Sequence, residues 1–278
     1  MSTELTTISV HIPILDIEKL VGLYASADSA DLYERNYMYE RNHMIERKRI
    51  KLSNIKELLT IAAEIGRVDV FRNFRSRTDE LNIEYKQKIL QIAAAQGHVS
   101  VLVELREQWR MTREDARSND NYAVRYAGRN GRVPILIELR VGWGLTREDA
   151  RTDNNYALRY AAANGYVAVL VELRSNWGLT SEDARAENNY ALPRAAAHGH
   201  DVVLVEFRTN WGLTGEDARA QDNMALRWAV MDERVSVIVE LRVGWGLTRE
   251  DIDNHALARA KLGGYVDVLN ELRINWGV

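Results

Sequence analysis

Apolar positions between Tyr156 and Gly165 fall at Ala157, Leu158, Ala161 and Ala162, with polar residues interleaved. That spacing puts them on one face of a helix, and the Asn164-Gly165 pair predicts its end. The next stretch, "YVAVLVELRSNW", is apolar on almost every side from Tyr166 to Val171, the pattern of a helix buried between neighbours. Arg174 falls in its last turn, where a cation suits the helix dipole. After Gly178, "LTSEDARA" predicts a third, very short helix. Thr180 is its N-cap, Asp183 stands at the third helical position as in a capping box, and Leu179 is placed to staple on Ala184.

This three-part pattern recurs. "WGLT" begins at Trp143, Trp177, Trp211 and Trp245, a step of 34 residues, with a looser "WRMT" at Trp109. Recurrence at that period predicts stacked repeat units, so the question of domain count becomes one of unit count. The turn glycines Gly66, Gly97, Gly131, Gly165, Gly199 and Gly264, with Glu233 in place of a seventh, mark about seven units. Pro134 falls in the first turn of a second helix and Pro193 in the first turn of a first helix, where proline does least damage. The expected fold is all-α: a helical repeat solenoid over residues 55–278, preceded by an atypical N-terminal segment over residues 1–54. That segment reads as an extended lead, an amphipathic helix and the six-residue near-repeat Tyr33–Lys48, serving as a cap or as a docking module.

"YALRYAAANGYVAVLVEL" resembles the ankyrin repeat, whose alanine pair, turn glycine, valines and leucine align with it without gaps. Tyr156, Ala157, Leu158 and Arg159 stand where that family has Thr-Pro-Leu-His, so the family's threonine cap and imidazole ladder are missing. Arg125, Arg159 and Arg227 are expected to form a substitute ladder between units. "DARAENNYALR" is most similar to the divergent ankyrin arrays of large DNA viruses and their protist hosts. Tetratricopeptide repeats share the period, but they place glycine inside the first helix and lack an alanine pair before the turn. The resemblance implies a non-enzymatic scaffold that grips a protein partner with its loop tips and first helices. A self-assembling structural protein is the alternative. A ubiquitin-ligase adaptor is another, if the N-terminal segment resembles a degenerate F-box.

Composition narrows this picture. A hydrophobic fraction of 46% can supply a continuous core, and 28% charged residues with a net charge of -3 show none of the basic bias of a nucleic-acid binder. There is no cysteine, which excludes disulfides and thiolate chemistry. No apolar run reaches membrane-spanning length, so an intracellular, cytoplasmic protein with no membrane partner is expected, in the host cytoplasm if the viral resemblance holds. The six histidines, His11, His43, His98, His198, His200 and His255, show no metal-ligand spacing. Glu-Asp pairs such as Glu182-Asp183 return in successive copies, whereas a catalytic site needs one unique constellation. No catalytic residue, cofactor or metal site is assigned.

Candidate contact residues are those that vary between otherwise similar copies, because packing demands sameness and partner fit does not. One column follows the insertion threonine: Arg113, Arg147, Ser181, Gly215 and Arg249. A second precedes the first helix: Asn119, Asp153, Glu187 and Gln221. A third lies on the first helix: Tyr126, Tyr160, Arg194 and Trp228. The second column is the leading surface, and alanine at Asp153, Glu187 and Gln221 is expected to spare stability while weakening partner capture. The recurring tryptophans are expected to pack rather than to form an exposed rail. The stripe Val103, Ile137, Val171, Val205 and Val239 accompanies the insertion, which is expected to fold back and bury it. The protein is expected to be a monomer.

Overall fold

The computed structural model describes residues 52–278. The readings that fall on residues 1–51, including most of the cap or docking segment, the Tyr33–Lys48 near-repeat, His11 and His43, lie outside the described residues. The chain divides into two compact units, residues 1–61 and 62–278. The regular structure of the described residues is all helical, with no strand among them. The helix Leu52–Ile65 begins in the first unit and ends in the second.

Within residues 62–278 the helices form two rows. First helices run as Ile83–Gln96, Ser118–Arg129, Thr152–Ala163, Ala191–Ala197, the later part of Gly215–Met231, and Asn254–Gly263. Second helices run as Val68–Asn73, Val99–Glu107, Val133–Val141, Val167–Ser175, Asp201–Asn210, Val235–Val243 and Val266–Asn275. Each first helix packs on the next first helix, and each second helix on the next second helix. The small residues at the end of the first helix permit this closeness: Ala157, Leu158, Ala161 and Ala162 are fully buried. Gly165 ends the turn in left-handed backbone, and Glu233 takes the same conformation where glycine is absent. Pro134 sits at the start of its helix as expected, and Pro193 is buried two residues into Ala191–Ala197.

The predicted third helix is present as Ser181–Ala184, with the Thr180–Asp183 capping box formed. Equivalent boxes stand at Thr112, Thr146, Thr214 and Thr248. The insertion does not bury the outer stripe: Ile137 is 42% exposed and Val171 37%, while Val103, Val205 and Val239 are half-buried. The reason is the direction the chain takes on leaving the second helix. The Leu179 N–H donates to the Leu173 carbonyl at 3.1 Å, and this turn carries Trp177 and Leu179 into the core beside Leu173, away from Val171. The tryptophans pack as expected, with Trp109, Trp143, Trp177, Trp211, Trp245 and Trp276 all buried.

Two series of arginine-carboxylate pairs join successive units. In one, Arg117 reaches Asp149 at 2.8 Å, Arg151 reaches Asp183 at 2.7 Å, Arg185 reaches Asp217 at 2.7 Å and Arg219 reaches Asp251 at 2.8 Å. In the other, Arg106, Arg140, Arg174, Arg208 and Arg242 reach Glu138, Glu172, Glu206, Glu240 and Glu271. Each capping aspartate thus does two jobs: it closes its own helix start and anchors the preceding unit. Burial pushes Asp149, Asp183, Asp217 and Asp251 up, but the arginine and the threonine N–H together outweigh it and hold all four below the ordinary aspartate value.

Candidate functional site: loop tips and the first-helix face

Four chain segments enter the first helices through an uncommon backbone. Residues 119–121, 153–155, 187–189 and 221–223 each place three consecutive side chains in left-handed conformation, with φ between 51° and 63°. A left-handed residue costs roughly 1–2 kcal/mol, least for Asn and Asp, whose short polar side chains bond locally. The triplets are Asn-Asp-Asn, Asp-Asn-Asn, Glu-Asn-Asn and Gln-Asp-Asn. The Asn121, Asn155 and Asn189 N–H groups donate to the Arg117, Arg151 and Arg185 carbonyls, which keeps the first turns tied to the capped helices before them.

Two of the three arginines expected to form a ladder, Arg125 and Arg159, hold these turns. Arg125 donates to the Asp120 carbonyl at 2.8 Å and the Asn119 carbonyl at 2.9 Å, and its remaining amine reaches Asp153 of the next unit at 2.9 Å. Arg159 donates to the Asn154 and Asp153 carbonyls at 2.8 and 3.0 Å. Arg227 lies 3.8 Å from Asp253. Only Arg125 and Arg227 therefore reach a carboxylate of the next unit. The substitution has a geometric cause: a guanidinium carries several donors in a fork and can gather two turn carbonyls, where an imidazole offers two nitrogens.

The second candidate column sits on the first residue of each turn. Asn119, Asp153 and Glu187 are exposed and Gln221 is half-buried. All four also bond to the preceding unit: Asn119 donates to Gln91 at 3.1 Å, Asp153 accepts from Arg125, Glu187 accepts from Asn154, and Gln221 donates to the Asn188 carbonyl. Alanine at Asp153, Glu187 and Gln221 therefore removes these bonds and occupies a left-handed backbone that suits it poorly, so it does not isolate partner binding from stability.

The third column joins the second through Arg125 and Arg159. Tyr122 stacks on Tyr126 at 3.9 Å, Tyr126 lies 5.8 Å from Tyr156, and Tyr156 stacks on Tyr160 at 4.1 Å. Arg125 lies over Tyr156, Arg129 over Tyr126 and Tyr160, Arg159 over Tyr190, and Arg194 over both Tyr190 and Trp228, at 4.8–5.6 Å from the ring centres. Tyr126, Tyr160, Arg194 and Trp228 are half-buried, the tyrosines in one group of rings and arginines and Arg194 with Trp228 in a second that Arg159 joins at Tyr190.

The first column stands apart, at the insertion-helix starts. Arg113 and Arg147 lean onto Asp149 and Asp183 of the following unit, at 3.7 and 3.2 Å, and Arg249 donates to the Gly277 carbonyl. The turn histidines contact the preceding unit: His98 lies 2.8 Å from the Glu64 carbonyl, and Arg132 and Arg234 bond to the Ala95 and Ala197 carbonyls from the same position. Burial and the neighbouring His198 lower the His200 pKa.

Among the described residues, no group of three or more acidic or histidine side chains is arranged to hold a metal, and no helix is long and apolar enough to cross a membrane. Comparison with protein-family models gives no match, and comparison with the curated proteins gives none either.

Proposed function

We propose that the chain is a non-enzymatic protein-binding scaffold, built as an ankyrin-like solenoid of about seven units, with residues 1–54 as its cap or docking segment. The observation that carries this reading is the set of four loop tips. Asn119, Asp153, Glu187 and Gln221 differ in charge and length, yet each stands on the same left-handed backbone and beside the same first-helix face. A rigid frame that repeats its geometry while varying its tip side chains suits recognition of an extended surface. The paired arginine-carboxylate series supplies the rigidity, since each unit is tied to the next at two places.

Glycine is the informative replacement at the tips, because it is at ease in left-handed backbone and removes the side chain. The triple variant Asp153→Gly, Glu187→Gly, Gln221→Gly is expected to keep its helical signal and to capture at least ten-fold less of the partner that wild type retains from extract of the source cells. Undiminished capture by the folded variant would remove the tips from the binding surface.

A further inference from the structure

The first helices segregate charge in a way the whole chain does not. Beyond their opening turns, the first helices over residues 85–96, 122–129, 156–163, 190–197 and 224–231 contain Lys86, Lys88, Arg125, Arg129, Arg159, Arg194 and Arg227 and no aspartate or glutamate, while the acids Glu84, Asp120, Asp153, Glu187 and Asp222 stand just before them. Elsewhere nine arginines that join successive units face carboxylates, Arg106, Arg140, Arg174, Arg208 and Arg242 glutamates and Arg117, Arg151, Arg185 and Arg219 aspartates, whereas Arg110, Arg132, Arg234, Arg249, Arg259 and Arg273 stand without one among the described residues. Among the described residues, no carboxylate lies within ion-pair distance of Arg129, Arg159 or Arg194. Arg129 donates to the Tyr156 hydroxyl at 3.0 Å, and Arg194 to the Tyr190 hydroxyl at 2.6 Å. The Arg129 and Arg194 guanidinium groups also lie over tyrosine and tryptophan rings.

Resting on the scaffold reading, we infer that this face binds an extended acidic peptide segment of the partner, with its carboxylates on Arg129, Arg159 and Arg194. Ring contact fixes each guanidinium before the ligand arrives, and a fixed fork loses less freedom on accepting a carboxylate. Arg129 and Arg194 each keep donors that their tyrosine hydroxyl does not use, while Arg159, committed to two turn carbonyls, contributes mainly its charge. Helices packed side by side lie about 8–10 Å apart, and Arg129, Arg159 and Arg194 stand at different turns of successive first helices, so the step from one to the next is at least about that long. An extended chain advances about 3.3 Å per residue, which places matching carboxylates at least about three positions apart. A nucleic acid fits this face less well. Its phosphates recur at every nucleotide and would also meet the exposed tip carboxylates Asp120, Asp153, Glu187 and Asp222, whereas a peptide carries charge only where the arginines stand. The Tyr122–Tyr126 and Tyr156–Tyr160 pairs are stacked on each other, leaving no gap for a base.

The test is fluorescence anisotropy on the full chain with three labelled probes: a peptide with aspartate at every third position among serine and glycine, its asparagine counterpart, and a single-stranded oligothymidylate. The aspartate peptide is expected to bind at least ten-fold more tightly than the asparagine peptide and the oligothymidylate, with affinity falling as salt rises. The double variant Arg129→Gln, Arg194→Gln is expected to lose at least ten-fold. The charge-matched control Arg110→Gln, Arg273→Gln, away from this face, should stay within two-fold. Equal loss in both double variants, no binding of the aspartate peptide, or preference for the oligothymidylate would overturn the assignment. Should the peptide fail while the tip-glycine variant still loses partner capture, the acidic-ligand inference falls and the scaffold reading stands; loss of both results removes both.

Discussion

Gly165 and Gly178 hold nearly the same left-handed backbone, with φ of 76° and 75°, in different surroundings. A Cβ built on Gly165 would lie 2.7 Å from the His200 ring of the next unit, whereas one on Gly178 meets nothing within 4 Å. Gly178→Ala is therefore expected to cost about 1 kcal/mol, from backbone conformation alone. Gly165→Ala should cost clearly more, because the His200 ring must also move. Urea unfolding midpoints of the two variants measure the difference, and equal losses would show that the contact across units carries no weight. The sequence already holds a natural version of the milder change. Arg110 occupies the place of Gly178 in the looser "WRMT" copy and takes φ of 54°.

Elements in this chain were legible wherever a local signal names them. The alanine pair with its turn glycine, the Thr-x-x-Asp box and the all-round apolar second helix each translate into one local structure. The Asn-rich triplets are equally visible in the sequence, but no local signal names three left-handed residues in a row, a costly conformation that their Asn and Asp content eases and that Glu187 and Gln221 also adopt. The stripe at Ile137 and Val171 misled because co-occurrence with the insertion says nothing about the direction in which the chain leaves the helix. The arginine-carboxylate series needed a long-range rule, Arg at one position and its acid 32 residues later, that no single copy displays. Two outcomes follow at this scale. Trp177→Ala empties a buried site and is expected to cost about 3–5 kcal/mol, read as a lowered urea midpoint. Asp183→Asn keeps a side chain of the same size but gives up the charge facing Arg151, with an expected loss of about 1–3 kcal/mol at neutral pH.

The aspartate series also sets an acid limit on the element contacts. Asp149, Asp183, Asp217 and Asp251 are held below their ordinary value when folded, so their contribution is fully present above the unfolded aspartate pKa, about 3.9, and is lost as pH falls through the lower folded values. Urea midpoints measured from pH 6 downward should hold until about pH 4 and then fall, and the fall should be shallower in Asp183→Asn. An unchanged slope in that variant would mean that Asp183 does not couple folding to protons.

At the scale of the molecule, the last first helix opposes stacking of copies end to end. Gly128, which abuts Ala157 of the next unit, and Ala162, Ala196 and Val230 are small or apolar and face the neighbouring unit, whereas the equivalent residue of Asn254–Gly263 is the exposed Lys261. A copy seated there would bury an ammonium group with no partner. Sedimentation at micromolar concentration is expected to give a monomer, and concentration-dependent chains of copies would favour the self-assembling alternative. The central claim is that partner contact falls on the loop tips and the first-helix face. Hydrogen–deuterium exchange on the chain with and without its co-purified partner tests it most directly. The account predicts slowed exchange at residues 119–129, 153–160, 187–194 and 221–228, with the outer helices carrying Ile137 and Val171 unchanged. Protection confined to those outer helices or to residues 1–54 would contradict it.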